Sequence, residues 1–424
     1  MEHREEPYGE VKGAAKHADL EGGASMNISR VQTRRPIVAL RLFGQSIWVD
    51  GLERRSLDSG AFKQSILEEG VSGATSNPTA YAKAILGGAD YVEALDAFRR
   101  EPSLDAKARY ERLAIEDIQT AADLLQPVYA RTKRRDGYVS WGISPYLARD
   151  TMGTLEEARR LWDAVGRDNL MMTVPATPEG IPAIEQLLSE GINVNVTLIF
   201  SQETYARVVG AYLLGLERLA ARGGDVGSVA SVASVFVGRL ETATDIALSA
   251  YLATSMPEAE GSLCRSLRGK IAVATATLIY QQHLALFSSP RWDALARHGA
   301  MSQRVLWAGT GTNDPTCHDG QYMEAIIAPE TVTMVPPATI RAHRGRVNRL
   351  SDGIDDVKAV LRAFAQTGVS LKKIADRLLE KELQTGRNAF DELLAAVEPQ
   401  SDVDAPIPPT QPFERRFARG CSAQ

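Results

Sequence analysis

Apolar residues along the chain gather into eight short β-like runs: Ser46 to Asp50, Val71 to Asn77, Tyr138 to Ser144, Leu170 to Pro175, Ile192 to Phe200, Val232 to Val237, Val305 to Ala308 and Thr331 to Val335. Each is followed by a turn and a helical stretch whose apolar positions recur every three or four residues. Asn169 to Ser201 shows the unit most plainly. An apolar run from Leu170 to Pro175 leads into a helix of about four turns opened by Thr177 and Pro178, and then into a second β run from Ile192 to Phe200. Eight such units predict an α/β fold, a (β/α)8 TIM barrel with extra helices, rather than an open doubly wound sheet. Helical insertions at about 79–130 and 241–290 enlarge it, and 353–398 reads as C-terminal helices packed on the outside.

The helices carry their own start and stop signals. Thr154-Leu-Glu-Glu157 reads as a capping box ahead of Leu155, Ala158, Leu161, Trp162 and Val165 at helical spacing. Ser201 is set to cap a helix whose inner face holds Tyr205, Val208, Val209, Tyr212 and Leu216, and Gly223-Gly224 is set to end it. These stripes are core contacts.

Alternation within the strands indicates where the chemistry lies. Asn193 and Asn195 alternate with Val194 and Val196, so their amides share one side of their strand. In a parallel barrel the active site collects at the C-terminal ends of the strands. The polar candidates there are Asp50, Asn77, Gly142, Ser144, Thr173, Asn193, Asn195, Thr197, Ser234, Arg239 and Asn313. One acid, several amides and hydroxyls and one arginine suit a polyhydroxylated anion, the arginine taking a phosphate bidentately. Each also has a plainer reading. Asp50 can cap the next helix, Asn77-Pro78 can be a turn with a proline at the first helical position, and Arg239 can pair with a carboxylate such as Glu241.

Composition narrows the partners. The chain has 424 residues, 44% of them hydrophobic, and a net charge of −5 with no basic stripe, which points away from nucleic acid and anionic membranes. No apolar run reaches the roughly 18 residues of a membrane span. Three scattered cysteines, Cys264, Cys317 and Cys421, form no disulfide framework and fit a reducing cytoplasm. Residues 1–35 read as a flexible extension, 36–398 as the barrel, and 399–424 as a Pro-rich disordered tail. Exposed barrel helices make a homodimer plausible. His318 with Asp319, Asp314 and Cys317 is the densest group of ligand types, but its spacing fits no zinc pattern, so a polar loop is favoured and neither metal nor cofactor is expected.

The motifs Ser46-Ile-Trp-Val-Asp50, Gly73-Ala-Thr-Ser-Asn-Pro-Thr79, Asp136-Gly-Tyr-Val-Ser140, Pro175-Ala-Thr-Pro-Glu-Gly180, Ile192-Asn-Val-Asn-Val-Thr-Leu-Ile-Phe-Ser201, Ser231-Val-Ala-Ser234 and Phe236-Val-Gly-Arg239 together resemble the transaldolase family. The resemblance continues through Leu306-Trp-Ala-Gly-Thr-Gly-Thr312 and Glu330-Thr-Val-Thr333 to Leu393-Leu394 and covers about 40–398. It implies a barrel enzyme that moves a dihydroxyacetone unit between sugar phosphates of the pentose phosphate pathway through a lysine Schiff base, without metal. It makes Asp50 the acid/base, Asn77 and Asn195 ligands of donor hydroxyls, Thr197 a holder of the catalytic water, and Ser234 with Arg239 the phosphate site.

Three positions depart from that pattern. The Schiff-base lysine falls at Thr173, the glutamate of the third strand at Gly142, and the lysine after the seventh strand at Asn313. A threonine forms no imine, and none of the eight runs contains a lysine. Three readings follow: imine-free chemistry (isomerisation, epimerisation or lyase-type proton transfer) on a phosphorylated or modified sugar, a catalytically inactive binding or regulatory homologue, and a weak transaldolase using an unrecognised amine.

Overall fold

The computed structural model describes residues 40–101, 103–253, 257–310, 325–337, 340 and 354–398. The expected extension and Pro-rich tail lie outside these residues, as do Asn313 and the 314–319 loop.

All eight expected strands form. They are β1 (Gln45–Asp50), β2 (Gly73–Thr75), β3 (Tyr138–Gly142), β4 (Leu170–Pro175), β5 (Val194–Ile199), β6 (Ser231–Phe236), β7 (Arg304–Ala308) and β8 (Thr331–Val335), and they close in chain order into one barrel. Every neighbouring pair is parallel, including β1 with β8. The helices that bear on the site are α1 (Pro78–Gly87), α2 (Ala106–Arg131), α3 (Thr151–Val165), α4 (Gly180–Ser189), α5 (Gln202–Ala221), α6 (Val237–Leu252), α7 (Ile271–Leu286) and α8 (Leu371–Val397). None of the helices among the described residues is long and apolar enough to cross a membrane.

The period of two along each strand separates two cores. Ile47, Val49, Val139, Val194 and Val305 face outward into the large core beneath the helices. Trp48, Met171, Val232, Leu306 and Val332 form a second, smaller cluster inside the barrel. The Trp48 indole fills so much of that interior that a Cβ on Gly73 would lie 2.4 Å from its ring, which accounts for glycine in a strand that has room for nothing larger.

Below this layer, polar side chains tie the strand starts together. Trp48 Nε1 donates to Asp136 Oδ1 at 2.8 Å, and buried Arg304 sits 3.6 Å from Asp136 Oδ2 while donating to the Thr331 and Arg135 carbonyls. Asn193 donates to the carbonyls of Asp168 and Leu170 and accepts from the Ala230 N–H, stapling β4, β5 and β6 at their beginnings.

Two local expectations need correction. The cap of α3 is Asp150, whose carboxylate accepts from the Gly153 N–H at 3.0 Å. Thr154 instead donates to the Leu147 carbonyl, and Glu157 reaches back to the Ser144 N–H, so the capping-box residues bind the preceding loop. Thr177 and Pro178 form a bend, with Thr177 Oγ1 accepting from the Gly180 N–H, and α4 starts only at Gly180. The last helix, α8, packs on the outside against α1, α2 and α6 and carries Glu382 to Arg239. By contrast Ser201 caps α5 as expected, and Gly223, at φ 75°, turns the chain just beyond it.

Candidate active site

β1 ends at Asp50, where the strand delivers its carboxylate to the mouth. Asp50 Oδ1 accepts from Thr75 Oγ1 and Asn77 Nδ2, both at 3.1 Å. Burial pushes its carboxyl pKa above the usual carboxylate range, opposed by the Thr75, Asn77 and Gly51 donors and the Arg239 charge. Asn77 serves two purposes: its Nδ2 binds Asp50 while its Oδ1 caps α1 through the Ala80 N–H at 2.9 Å. The plain reading of Asn77-Pro78 as a helix start therefore holds.

A second polar group spans the neighbouring strands. Ser234 Oγ donates to Asn195 Oδ1 at 2.7 Å, Asn195 Nδ2 donates to Ser140 Oγ at 3.0 Å, and Ser140 and Thr173 hydroxyls lie 2.5 Å apart. The register sets Gly142 beside Thr173 and Thr173 beside Asn195. The chain of bonds thus runs across β6, β5, β3 and β4. Thr173 is held in it as a neutral hydroxyl.

Two rim positions keep room. A Cβ on Gly142 would meet no atom within 4 Å, and its φ is not left-handed, so a side chain there would project into open space. Thr197 sits where β5 shifts register against β6, next to Leu198 at φ 61°, a conformation costly for a non-glycine residue. Among the described residues the Thr197 hydroxyl makes no hydrogen bond.

Arg239, in the first turn of α6, pairs with Glu382 of α8 and not with Glu241: Nη1 to Oε1 is 2.9 Å. Glu241 is spent elsewhere, capping α7 through the Ile271 and Ala272 N–H groups. A cavity of about 680 Å³ opens beside Asp50 and Asn77 and is lined in part by Glu53, Glu69, Thr79 and Lys83.

The structure thus brings Asp50, Asn77, Thr173, Asn195 and Ser234 to one end of the barrel. Asn193 belongs to the opposite end, where its amide is consumed by backbone, and the Ser144 N–H is bound to Glu157 in the loop after β3. Sequence reasoning missed Thr75, Ser140 and Glu382. Thr75 and Ser140 stand two residues before Asn77 and Gly142 and share their face, a signal that was readable. Among the described residues no group of three or more His, Cys, Asp and Glu side chains is arranged to hold a metal.

Comparison with known proteins adds a family. The profile of the family described as Transaldolase/Fructose-6-phosphate aldolase matches residues 47–397. The chain is 43% identical over 357 residues to a transaldolase of Thiobacillus denitrificans, covering 84% of this chain and 97% of that protein. It is 42% identical over 370 residues to a transaldolase of Thermobifida fusca (86% and 98% covered) and 38% identical over 377 residues to transaldolase 2 of Nostoc punctiforme (88% and 99% covered).

Proposed function

The chain belongs to the transaldolase family, and on that premise we propose that it is a sugar-binding barrel turned to imine-free proton transfer, with Asp50 as its acid/base. The observation that carries this is the pairing of a kept acid with a lost amine. Asp50 stands at the mouth with its pKa raised by burial, while Thr173 is locked as a hydroxyl to Ser140.

In the reaction proposed, Asp50 as carboxylate takes a proton from the carbon next to a sugar carbonyl. The C–H electron pair becomes a C=C bond while the carbonyl π pair moves to oxygen, giving an enediolate. Hydroxyl and amide donors of the rim, Thr173, Ser140 and Asn77, are the groups available to hold that charge. As the adjacent hydroxyl passes its proton to the former carbonyl oxygen, Asp50 returns its own proton to the former carbonyl carbon, which yields an isomer with no net redox change. Asn195 and Ser234 bind ligand hydroxyls, and Thr197, unbonded at its bulge, is free to orient water.

The test is carbon-bound hydrogen exchange in D2O, followed by NMR on a panel of ketoses, aldoses and their phosphates. The parent exchanges hydrogen next to the carbonyl of at least one sugar, and Asp50→Asn slows that exchange by about 10²- to 10⁴-fold, the usual share of a positioned acid/base. Equal exchange by parent and Asp50→Asn would sink the reading.

A second reading, a weak transaldolase whose amine comes from outside the strands, is favoured by Lys83, which lines the same cavity as Asp50 and Asn77. Borohydride trapping of a ketose adduct that vanishes in Lys83→Met would establish it over the first.

A further inference from the structure

Arg239 stands in the first turn of α6, and its stem runs past Gly309 just beyond β7, where a Cβ would lie 3.8 Å from Arg239 Cγ. The Gly238 N–H binds the Gly309 carbonyl at 3.1 Å, which ties the start of α6 to the same strand end. The charge of Arg239 reaches Asp50, where it favours the ionised carboxylate.

Left alone, an arginine on such a rim makes a poor anion site. Several rotatable bonds let its head sweep through water, and ordering it on binding offsets much of the contact. Glu382 of α8 removes that freedom. Its Oε1 accepts from Arg239 Nη1 at 2.9 Å, and its side chain is 7% exposed where that of the arginine is 47% exposed. The guanidinium is thus held by a buried group of a packed helix, not by another mobile chain. This one contact leaves Nε and Nη2 without a partner among the described residues, and they form the edge of parallel N–H groups that a phosphate takes bidentately.

The helix that carries Glu382 is anchored at a second strand end as well. In the loop after β3, the Tyr146 hydroxyl lies 2.7 and 2.9 Å from the two carboxylate oxygens of Asp391, and Arg149 pairs with Glu380. One helix therefore links the loop after β3 to α6.

From this geometry we infer that Glu382 is a positioning residue of the anion site: it touches no substrate, but it sets the free edge of Arg239 for a phosphate and makes the C-terminal helix part of the phosphate-binding machinery. The inference rests on the reading of Arg239 as a phosphate holder and is independent of how the proton is moved. Glu382 also neutralises part of the arginine's charge, so the sign of its effect on phosphate binding separates orientation from repulsion.

The experiment reads binding, not turnover, so a failed exchange assay leaves it standing. Calorimetric affinities for fructose 6-phosphate, fructose and inorganic phosphate are measured on the full chain, for the parent, Glu382→Ala, Glu382→Gln, Arg239→Ala and the Arg239→Ala/Glu382→Ala double variant. The parent prefers fructose 6-phosphate to fructose by about tenfold or more. Glu382→Ala lowers that preference by about fivefold with the affinity for fructose unchanged, whereas Glu382→Gln, which keeps an acceptor oxygen, stays within about threefold of the parent. With Arg239→Ala the preference is gone, and adding Glu382→Ala changes nothing further. Circular dichroism verifies folding, and Glu382→Met, of similar length but without an acceptor oxygen, takes the place of an alanine variant that misfolds. A preference unchanged or raised in Glu382→Ala overturns the inference, because the carboxylate then only tethers α8 or opposes the anion. A parent with no preference for the phosphorylated sugar, or a further loss on adding Glu382→Ala to Arg239→Ala, overturns it equally, because Glu382 then does not act through Arg239.

Discussion

The two ends of the barrel are both rich in polar side chains, yet they use them in opposite ways. At the strand starts, Asn193, Arg304 and Asp136 spend most of their bonds on backbone carbonyls, on the Ala230 N–H and on Trp48, fastening strand to strand, with Arg304 Nε left unbonded among the described residues. At the strand ends, Asp50, Asn77, Ser140, Thr173, Asn195 and Ser234 bond one another through side chains and leave Gly142 and Thr197 open. The same residue types therefore stabilise at one end and stand ready for a ligand at the other. Side-chain to backbone bonds are fixed by the fold, while hydroxyl and amide bonds among side chains can be exchanged for those of a sugar.

The sharpest way to break this contrast is to remove one charge from each end. Asp50→Asn lowers turnover by about 10³-fold, roughly 4 kcal/mol at the barrier, with little change in melting temperature. Arg304→Met strands Asp136 in the floor and costs about 3 to 5 kcal/mol of stability in denaturant melts. Equal stability losses from both would erase the distinction between the ends.

The two asparagines of β5 and its approach sharpen it further. Asn193→Ala deletes bonds to two carbonyls and one N–H, all buried, and should cost about 3 kcal/mol. Asn195→Ala frees only the hydroxyls of Ser140 and Ser234, which can rotate to other partners, and should cost about 1 kcal/mol while weakening ligand binding.

Away from both ends, acid titration adds a pH signature. Burial raises Glu241 to about 7 from 4.5, so the folded state holds its proton more tightly than the unfolded chain. Its contribution is complete below pH 4.5 and is lost as pH rises to 7, worth up to about 3 kcal/mol. Glu241→Gln should flatten the pH dependence of stability across that window. His283, held near 4 by burial next to Tyr205, acts the other way, losing stability as pH falls from 6.5. The smallest effect expected is on rate: Thr75→Ala removes one donor from Asp50, so its carboxyl rises further and the acid limb of the pH–rate profile moves to higher pH, with the plateau nearly unchanged.

Periodicity in the sequence was enough for the barrel, because burying a parallel sheet on both faces forces apolar runs that turn residues then delimit. All eight runs became strands within a residue or two at most ends. The site was half legible. Asp50, Asn77, Asn195 and Ser234 lie at predictable strand ends, but Asn193 shares their parity and still belongs to the floor, since parity gives the side of the sheet and not the height along the axis. Glu382 was out of reach entirely: 143 residues separate it from Arg239, and only packing of α8 across the mouth brings the pair together.

The central claim is that Thr173 leaves this member of the family without an imine. Borohydride reduction with intact-mass readout, on the parent, Thr173→Lys and Thr173→Lys with Gly142→Glu, in dihydroxyacetone and in fructose 6-phosphate, tests it most directly. The account predicts no adduct on the parent and a dihydroxyacetone adduct on the lysine variants, for which the open space at Gly142 leaves room. An adduct on the parent itself would contradict it and move the chemistry to another amine.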